Sequence, residues 1–326
     1  MKKAVLEATN RILKGRILSY SESGRLYMDN RTTLFDLMWA ADRVRSFFKK
    51  DRVKFCSIVN AKSGVCSEDC KFCAQSVYHS TGVKRYPLLK EHEIFKAAKA
   101  AYRNKAGCFG IVTSGKGVEG AREIETICKA IKRVKKEFPG LDCSVSLGVL
   151  KKDFLLALRR AGADKFHHNL ETSEGYFPKI CTTHTYKERR ETIETAKKAG
   201  FKVCSGALFG LGEGRRDRLK LAFLLRDMEI ESVPLNFLHP VKGTALEGAT
   251  PLTPQEILRT IAIFRLILPK RDIKVCGGRA VNLRSLQGMI FFAGANGMMV
   301  GNYLTQPGQD PAADLQMIQD LGLRVT

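Results

Sequence analysis

Two rhythms of apolar residues alternate along the chain. Short runs, apolar at every second position or in a brief continuous block, occur at VKFCSIV (53–59), CFGIVTS (108–114), DCSVSLG (142–148), DKFHHNL (164–170), FKVCSGALF (201–209), SVPLNFL (232–238), IKVCGG (273–278) and GMMVGN (297–302). Such runs predict strands. Between them lie longer segments with helical spacing, among them EHEIFKAAKAAYRN (91–104), EIETICKAIKRVKKEF (123–138), YKERRETIETAKKAG (186–200) and PQEILRTIAIFRLIL (254–268). Several of these stop near Gly or Pro, as helices do. Ahead of the first strand, TLFDLMWAADRVRSFF sets Leu34, Leu37, Met38, Ala41 and Val44 three and four residues apart, which makes one apolar helix face. Eight strands alternating with helices predict an α/β fold, a (β/α)8 TIM-type barrel, rather than an open doubly wound sheet. Residues 1–50 are expected to form an N-terminal helical extension and residues 51–326 the barrel.

Composition narrows the setting. A chain of 326 residues suits one closed barrel, and 44% hydrophobic with 27% charged residues is globular. MKKAVLEATNRILKGR lacks a long apolar run, so a soluble, cytoplasmic protein without membrane contact is expected. Ten cysteines in such a chain point to metal or redox chemistry rather than to disulfides. Lys+Arg 55 against Asp+Glu 33 gives 55 − 33 = +22. The basic runs KRVKKEF, FFKKDRVK and GEGRRDRLK are dispersed among apolar periodic segments, which favours a solvated surface over a nucleic-acid site.

The most informative stretch follows the first strand. KSGVCSEDCKFCAQS places Cys66, Cys70 and Cys73 in a strand-to-helix loop, where barrels carry their reactive groups. Structural zinc wants four closed ligands, and His79 is the nearest available fourth. A four-iron cluster held by three thiolates instead leaves one iron free for a small molecule.

This CxxxCxxC spacing, with Phe72 just before its last cysteine, resembles the radical S-adenosylmethionine (SAM) superfamily. Further segments, HHNLETS, TTHTYKERRETI, KVCSGALFGLGE, ESVPLNFLHPVKGTAL and FFAGANGMMVGNYLT, resemble the biotin synthase family in order and separation, from about Leu34 to the C-terminus. The resemblance implies insertion of sulfur into dethiobiotin, with hydrogen abstraction by 5′-deoxyadenosyl radicals and an auxiliary iron–sulfur cluster as sulfur donor. It also implies that Cys66, Cys70 and Cys73 hold the SAM-cleaving 4Fe–4S cluster and that Phe72 packs near adenine. Asn169 and Glu171 would face the ribose, and Arg189 would pair with the SAM carboxylate through its guanidinium fork. Asn169 and Asn236 would bind the ureido ring of dethiobiotin, and Lys62 and Thr305 its carboxylate tail. The family commonly has Asp at the position of Glu171 and a second Thr where this chain has Gln306. Implied partners are a flavodoxin or ferredoxin, iron–sulfur assembly proteins and a second copy in a homodimer. Because such donors are typically acidic, the basic surface suits their docking.

The family pattern holds its auxiliary two-iron cluster with three cysteines and an arginine. Cys143 and Cys204 match two of the cysteines, whereas Gly110 and Lys274 stand at the other two positions. Cys108 and Cys276 lie two residues from these, and a shift of two returns to the same strand face. The expected inward set is therefore Cys108, Cys143, Cys204 and Cys276, four thiolates suited to a four-iron auxiliary cluster, against the bland alternative that buried cysteines are small hydrophobes. Cys56, Cys128 and Cys181 are expected to be structural. His167 and His168 are adjacent in a strand, so at most one reaches the lumen.

Two rival readings stay open at this point. One is a different radical SAM barrel of hydrogenase-maturation or pyrrolysine-pathway type. The other is an iron–sulfur nucleic-acid-binding protein, motivated by the charge.

Overall fold

A computed structural model of the chain describes residues 2–29, 31–118 and 120–326. Three helices come first: α1 (Lys3–Leu13), α2 (Tyr20–Met28) and α3 (Leu34–Lys49). Strands then follow as β1 (Arg52–Lys62), β2 (Cys108–Thr113), β3 (Asp142–Ser146), β4 (Lys165–His167), β5 (Lys202–Cys204), β6 (Ala207–Phe209), β7 (Ser232–Phe237), β8 (Asp272–Val275), β9 (Gly297–Met299) and β10 (Arg324–Val325). The helices between and after them are α4 (Glu91–Arg103), α5 (Ala121–Glu137), α6 (Lys152–Arg160), α7 (Tyr186–Lys198), α8 (Arg215–Asp227), α9 (Pro254–Ile267), the short α10 (Arg279–Leu283) and α11 (Met289–Phe292), and α12 (Pro311–Asp320).

The strands pair in parallel in chain order, and β9 returns to pair with β1, which closes the barrel. β5 and β6 are two pieces of one stave, interrupted at Ser205 and Gly206, so the barrel has the eight staves expected of it. Gly206 permits that break: a Cβ there would lie 1.8 Å from the Pro234 carbonyl oxygen on β7. β10 was not foreseen; it adds to the outside of β1 through Arg52 and Val53.

Alternation divides each strand into an outer and an inner set. Phe55, Phe109, Val145, Phe166, Val233, Ile273 and Met298 are all fully buried and belong to the core between strands and helices. Cys56, Cys108, Ser144, Lys165, Cys204 and Lys274 alternate with them and line the lumen.

Helix starts match their sequence signals. Thr185 caps α7 and Glu188 answers from the third position, and Thr253 caps α9 ahead of Pro254. The N-terminal helices close one side of the barrel, α3 against α9 and α2 against α8 and α9. Tyr27 on α2 shares a 2.8 Å hydrogen bond with Thr260 on α9, and Arg218 on α8 bridges Glu213 (2.7 Å) and Glu256 (2.8 Å) nearby. Among the described residues, no helix is long and apolar enough to cross a membrane.

Candidate active site

The loop after β1 folds back on itself to gather its three thiols. The Cys66 amide donates to the Gln75 carbonyl (3.0 Å), Val77 donates to the Cys66 carbonyl (2.9 Å), and Cys73 donates to the Cys70 carbonyl (2.9 Å). Two acids tie this loop to residues 182–184. Asp69 accepts from the Thr182 amide at 2.8 Å, and Glu68 accepts from Thr183 Oγ1 at 2.8 Å and lies 2.5 Å from His184 Nδ1. Cys66, Cys70 and Cys73 consequently line one cavity of about 200 Å3.

β4, the turn after it, and α7 also contribute to the lining of that cavity. Asn169, Glu171 and Arg189 all reach it. Arg189 Nη1 donates to the Asn169 carbonyl (2.7 Å) and Nε donates to His184 Nε2 (3.0 Å), while the guanidinium lies 5.3 Å from the Phe177 ring centroid. Glu171 has φ +67, a backbone conformation that is costly for a side chain this long. Its turn is locked by bonds to Gly206 O and from Leu208 N. Burial pushes the Glu171 carboxyl up, opposed by the nearby Arg189.

A larger cavity of about 330 Å3 fills the lumen and shares Phe72, Cys73, His167, Asn169 and Glu171 with the first. The two spaces adjoin through those side chains. Asn236 and Thr305 line the larger one, and Phe72 lines both. Asn236 already uses both amide atoms on backbone, donating to Ala207 O (2.9 Å) and accepting from Gly277 N (2.8 Å). Asn169 Oδ1 similarly accepts from Gly206 N at 3.0 Å.

Two sequence expectations need correction. Cys143 does not face the lumen: it pairs in register with outward-facing Phe109, is fully buried in the core under the helices, and lines neither cavity. On β3 the inward residues are Ser144 and Ser146, so the expected position was one residue out and therefore on the opposite face. Lys62 likewise lines neither cavity. The register of β1 shifts between Asn60 and Lys62, and the Lys62 ammonium pairs with Glu123 on α5 at 2.8 Å.

Cys56, expected to be structural, faces the lumen. It is in register with Cys108 across β1 and β2, and Cys56, Cys108, Cys204 and Cys276 are all buried and all line the larger cavity. A hydrogen bond with Cys108, reinforced by Lys274, holds Cys56 towards thiolate, and the same bond together with burial holds Cys108 well above the usual thiol range. Burial likewise pushes Cys204 and Cys276 up. Of the histidine pair, His167 reaches the larger cavity and His168 does not. Cys181 also has more company than expected: its sulfur is 3.7 Å from Cys70 Sγ and 3.3 Å from His184 Nδ1.

Three thiols walling a cavity that adjoins a closed barrel lumen define a radical SAM enzyme. Residues 61–225 match the Radical SAM superfamily, and residues 234–324 match the Biotin and Thiamin Synthesis associated domain. Both segments contribute strands to the one barrel. The chain belongs to the biotin synthase family. It is 50% identical to biotin synthase of Geobacter sulfurreducens, covering 97% of this chain and 96% of that one. It is 49% identical to that of Citrifermentans bemidjiense, covering 99% and 98%. Among solved structures, methylornithine synthase aligns with TM-score 0.84 at 20% identity over 98% of this chain and 97% of that one. A hydrogenase maturase of Carboxydothermus hydrogenoformans aligns with TM-score 0.83 at 17% identity, over 99% and 79%. Those two share the fold, whereas the sequence kinship is with biotin synthases. The family implies a 4Fe–4S cluster, SAM and an auxiliary iron–sulfur cluster.

Both cluster sites fit on their donors. Three thiols line one cavity together with Asn169, Glu171 and Arg189, and four buried thiols line the lumen, one of them 2.9 Å from a lysine ammonium.

Proposed function

We propose that this protein is a biotin synthase that converts dethiobiotin to biotin by inserting sulfur between two unactivated carbons. The observation that carries the reading is the adjoining of the two cavities: the three-thiol pocket and the thiol-lined lumen share Phe72, Cys73, Asn169 and Glu171. A radical generated in the first would meet a substrate held in the second without crossing solvent.

Cys66, Cys70 and Cys73 would hold the SAM-cleaving cluster, which supplies the electron that splits SAM into methionine and the 5′-deoxyadenosyl radical. Arg189, fixed by its bonds to Asn169 and His184, presents its guanidinium to the SAM carboxylate. Glu171 and Asn169 face the ribose hydroxyls, and Phe72 packs beside adenine. Asn169 and Asn236 stand at the substrate's ureido ring. Their amides are held by backbone partners, so they present fixed edges rather than mobile ones. Thr305 stands at the carboxylate tail.

Cys56, Cys108, Cys204 and Cys276 would hold the auxiliary cluster, which supplies the sulfur. Four thiolates favour four irons there. Iron analysis with Mössbauer spectra on anaerobically reconstituted protein is expected to give about eight irons per chain in two four-iron clusters. About two auxiliary irons would overturn the four-iron reading.

Residues 1–50 act as a helical extension of the single barrel formed by residues 51–326. The protein works in the cytoplasm as a homodimer, served by iron–sulfur assembly proteins, with an acidic flavodoxin or ferredoxin docking on the +22 surface. Anaerobic incubation with dithionite, SAM and dethiobiotin tests the activity by mass detection. Biotin together with 5′-deoxyadenosine is expected, and 5′-deoxyadenosine without biotin would refute the assignment.

A further inference from the structure

Lys274 is an unusual occupant of a barrel lumen. It lies on β8, is 3% exposed, and among the described residues no carboxylate pairs with it. Its ammonium donates instead to Cys56 Sγ at 2.9 Å. Lys165, its neighbour in the same cavity, is different, because Asp142 holds its ammonium. A buried ammonium without an anion is strongly disfavoured, so the counter-ion of Lys274 must come from the sulfur ligands around it.

The barrel also makes room for this side chain. Gly297 on β9 is in register with Lys274, and a Cβ at Gly297 would lie 2.8 Å from the Lys54 carbonyl oxygen and 2.9 Å from Lys274 Cγ. Any larger residue there would crowd the lysine stem. Lys274 and Cys276 are two apart on the strand, so both project inward.

Resting on the four-thiol reading above, we infer that Lys274 is the fixed counter-cation of the lumen cluster. Its ammonium donates a hydrogen bond to the Cys56 ligand sulfur and is not itself bound to iron. Four thiolates leave a four-iron cluster with net negative charge, and each electron it accepts adds to that charge. A cation and hydrogen-bond donor at the ligand sulfur favours the reduced form and raises the reduction potential. Lys274 thus sets how readily iron in the lumen takes up an electron. It is a positioning residue rather than a catalytic one.

The test uses the full reconstituted chain and its K274Q, K274M and K274R variants, with iron content, Mössbauer spectra and EPR-monitored redox titration. In K274Q and K274M the auxiliary midpoint potential is expected to fall, while that of the three-cysteine cluster stays put. K274R is expected to restore most of the loss. Gln and Met are both of similar length to Lys, so a folding failure of one leaves the other to decide. An unchanged auxiliary midpoint in the neutral variants would overturn the inference. Nitrogen-15 lysine labelling that shows a directly iron-bound nitrogen, lost in K274R, would overturn it as well. A wild-type protein lacking four auxiliary irons would instead overturn the underlying four-thiol reading, which separates the two failures.

Discussion

Replacing Cys143 and Cys56 in turn separates the two faces of the barrel wall. Cys143 is fully exposed to neither solvent nor lumen: its sulfur sits in the apolar layer beneath the helices, where burial pushes its thiol up to about 12. Cys143→Ala removes one methylene-sized group from a packed core, which costs about 1 kcal/mol of transfer free energy plus a small cavity term. For a chain of this size that lowers Tm by roughly 2 °C. Iron content should not change. Cys56→Ala removes a thiol that lies 2.9 Å from Lys274 and lines the lumen, so on the proposed ligand set it takes away one of four auxiliary anchors and strands a buried ammonium. Here the auxiliary irons should fall while the three-cysteine cluster keeps its signature. The assay is iron per chain with Mössbauer spectra, followed by thermal unfolding of the same samples. Loss of auxiliary iron from Cys143→Ala, or a full complement in Cys56→Ala, would refute the assignment of faces.

Three other outcomes follow from the geometry. Arg189→Lys keeps the charge but loses the planar fork and its bonds to Asn169 and His184, so the KM for SAM should rise about tenfold to a hundredfold in initial-rate assays. Burial holds His167 down to about 4 and holds His168 well below the usual histidine range. The unfolded chain, with ordinary histidines, therefore binds more protons between about pH 6.5 and pH 4, and stability should be intact above that window and fall as pH drops through it. Urea midpoints from pH 8 to pH 5 check this, and His167→Gln should flatten the slope. Tyr27→Phe removes the buried bond to Thr260 and should cost about 1 kcal/mol, seen as a Tm shift of roughly 2 °C without loss of iron.

The barrel was readable because each stave repeats one physical demand, an apolar residue outward against a helix and a smaller or polar one inward. FKVCSGALF was legible as one strand although the backbone breaks it at Gly206, since the apolar pattern continues across the break. β10 left no such trace: Arg324 and Val325 are two residues whose pairing depends only on where the chain end passes β1. The shift in β1 that turns Lys62 towards Glu123 is equally silent, because a one-residue irregularity has no composition of its own.

The outward turn of Cys143 has a signal in its own segment. In DCSVSLG polar Asp142, Ser144 and Ser146 alternate with apolar Cys143, Val145 and Leu147. Treating cysteine as the small hydrophobe it often is would have set Cys143 with Val145 on the helix face and left the serines to the lumen. Applied to β1, the same parity sets Phe55 outward and Cys56 inward. The register of Cys56 with Cys108 then follows from strand pairing, which no single segment contains. Spacing within one strand tells which thiols share a face, but only the closed barrel decides which face is the lumen. A set of ligands drawn from four strands therefore becomes certain only when every strand's parity is fixed independently of the chemistry expected of it.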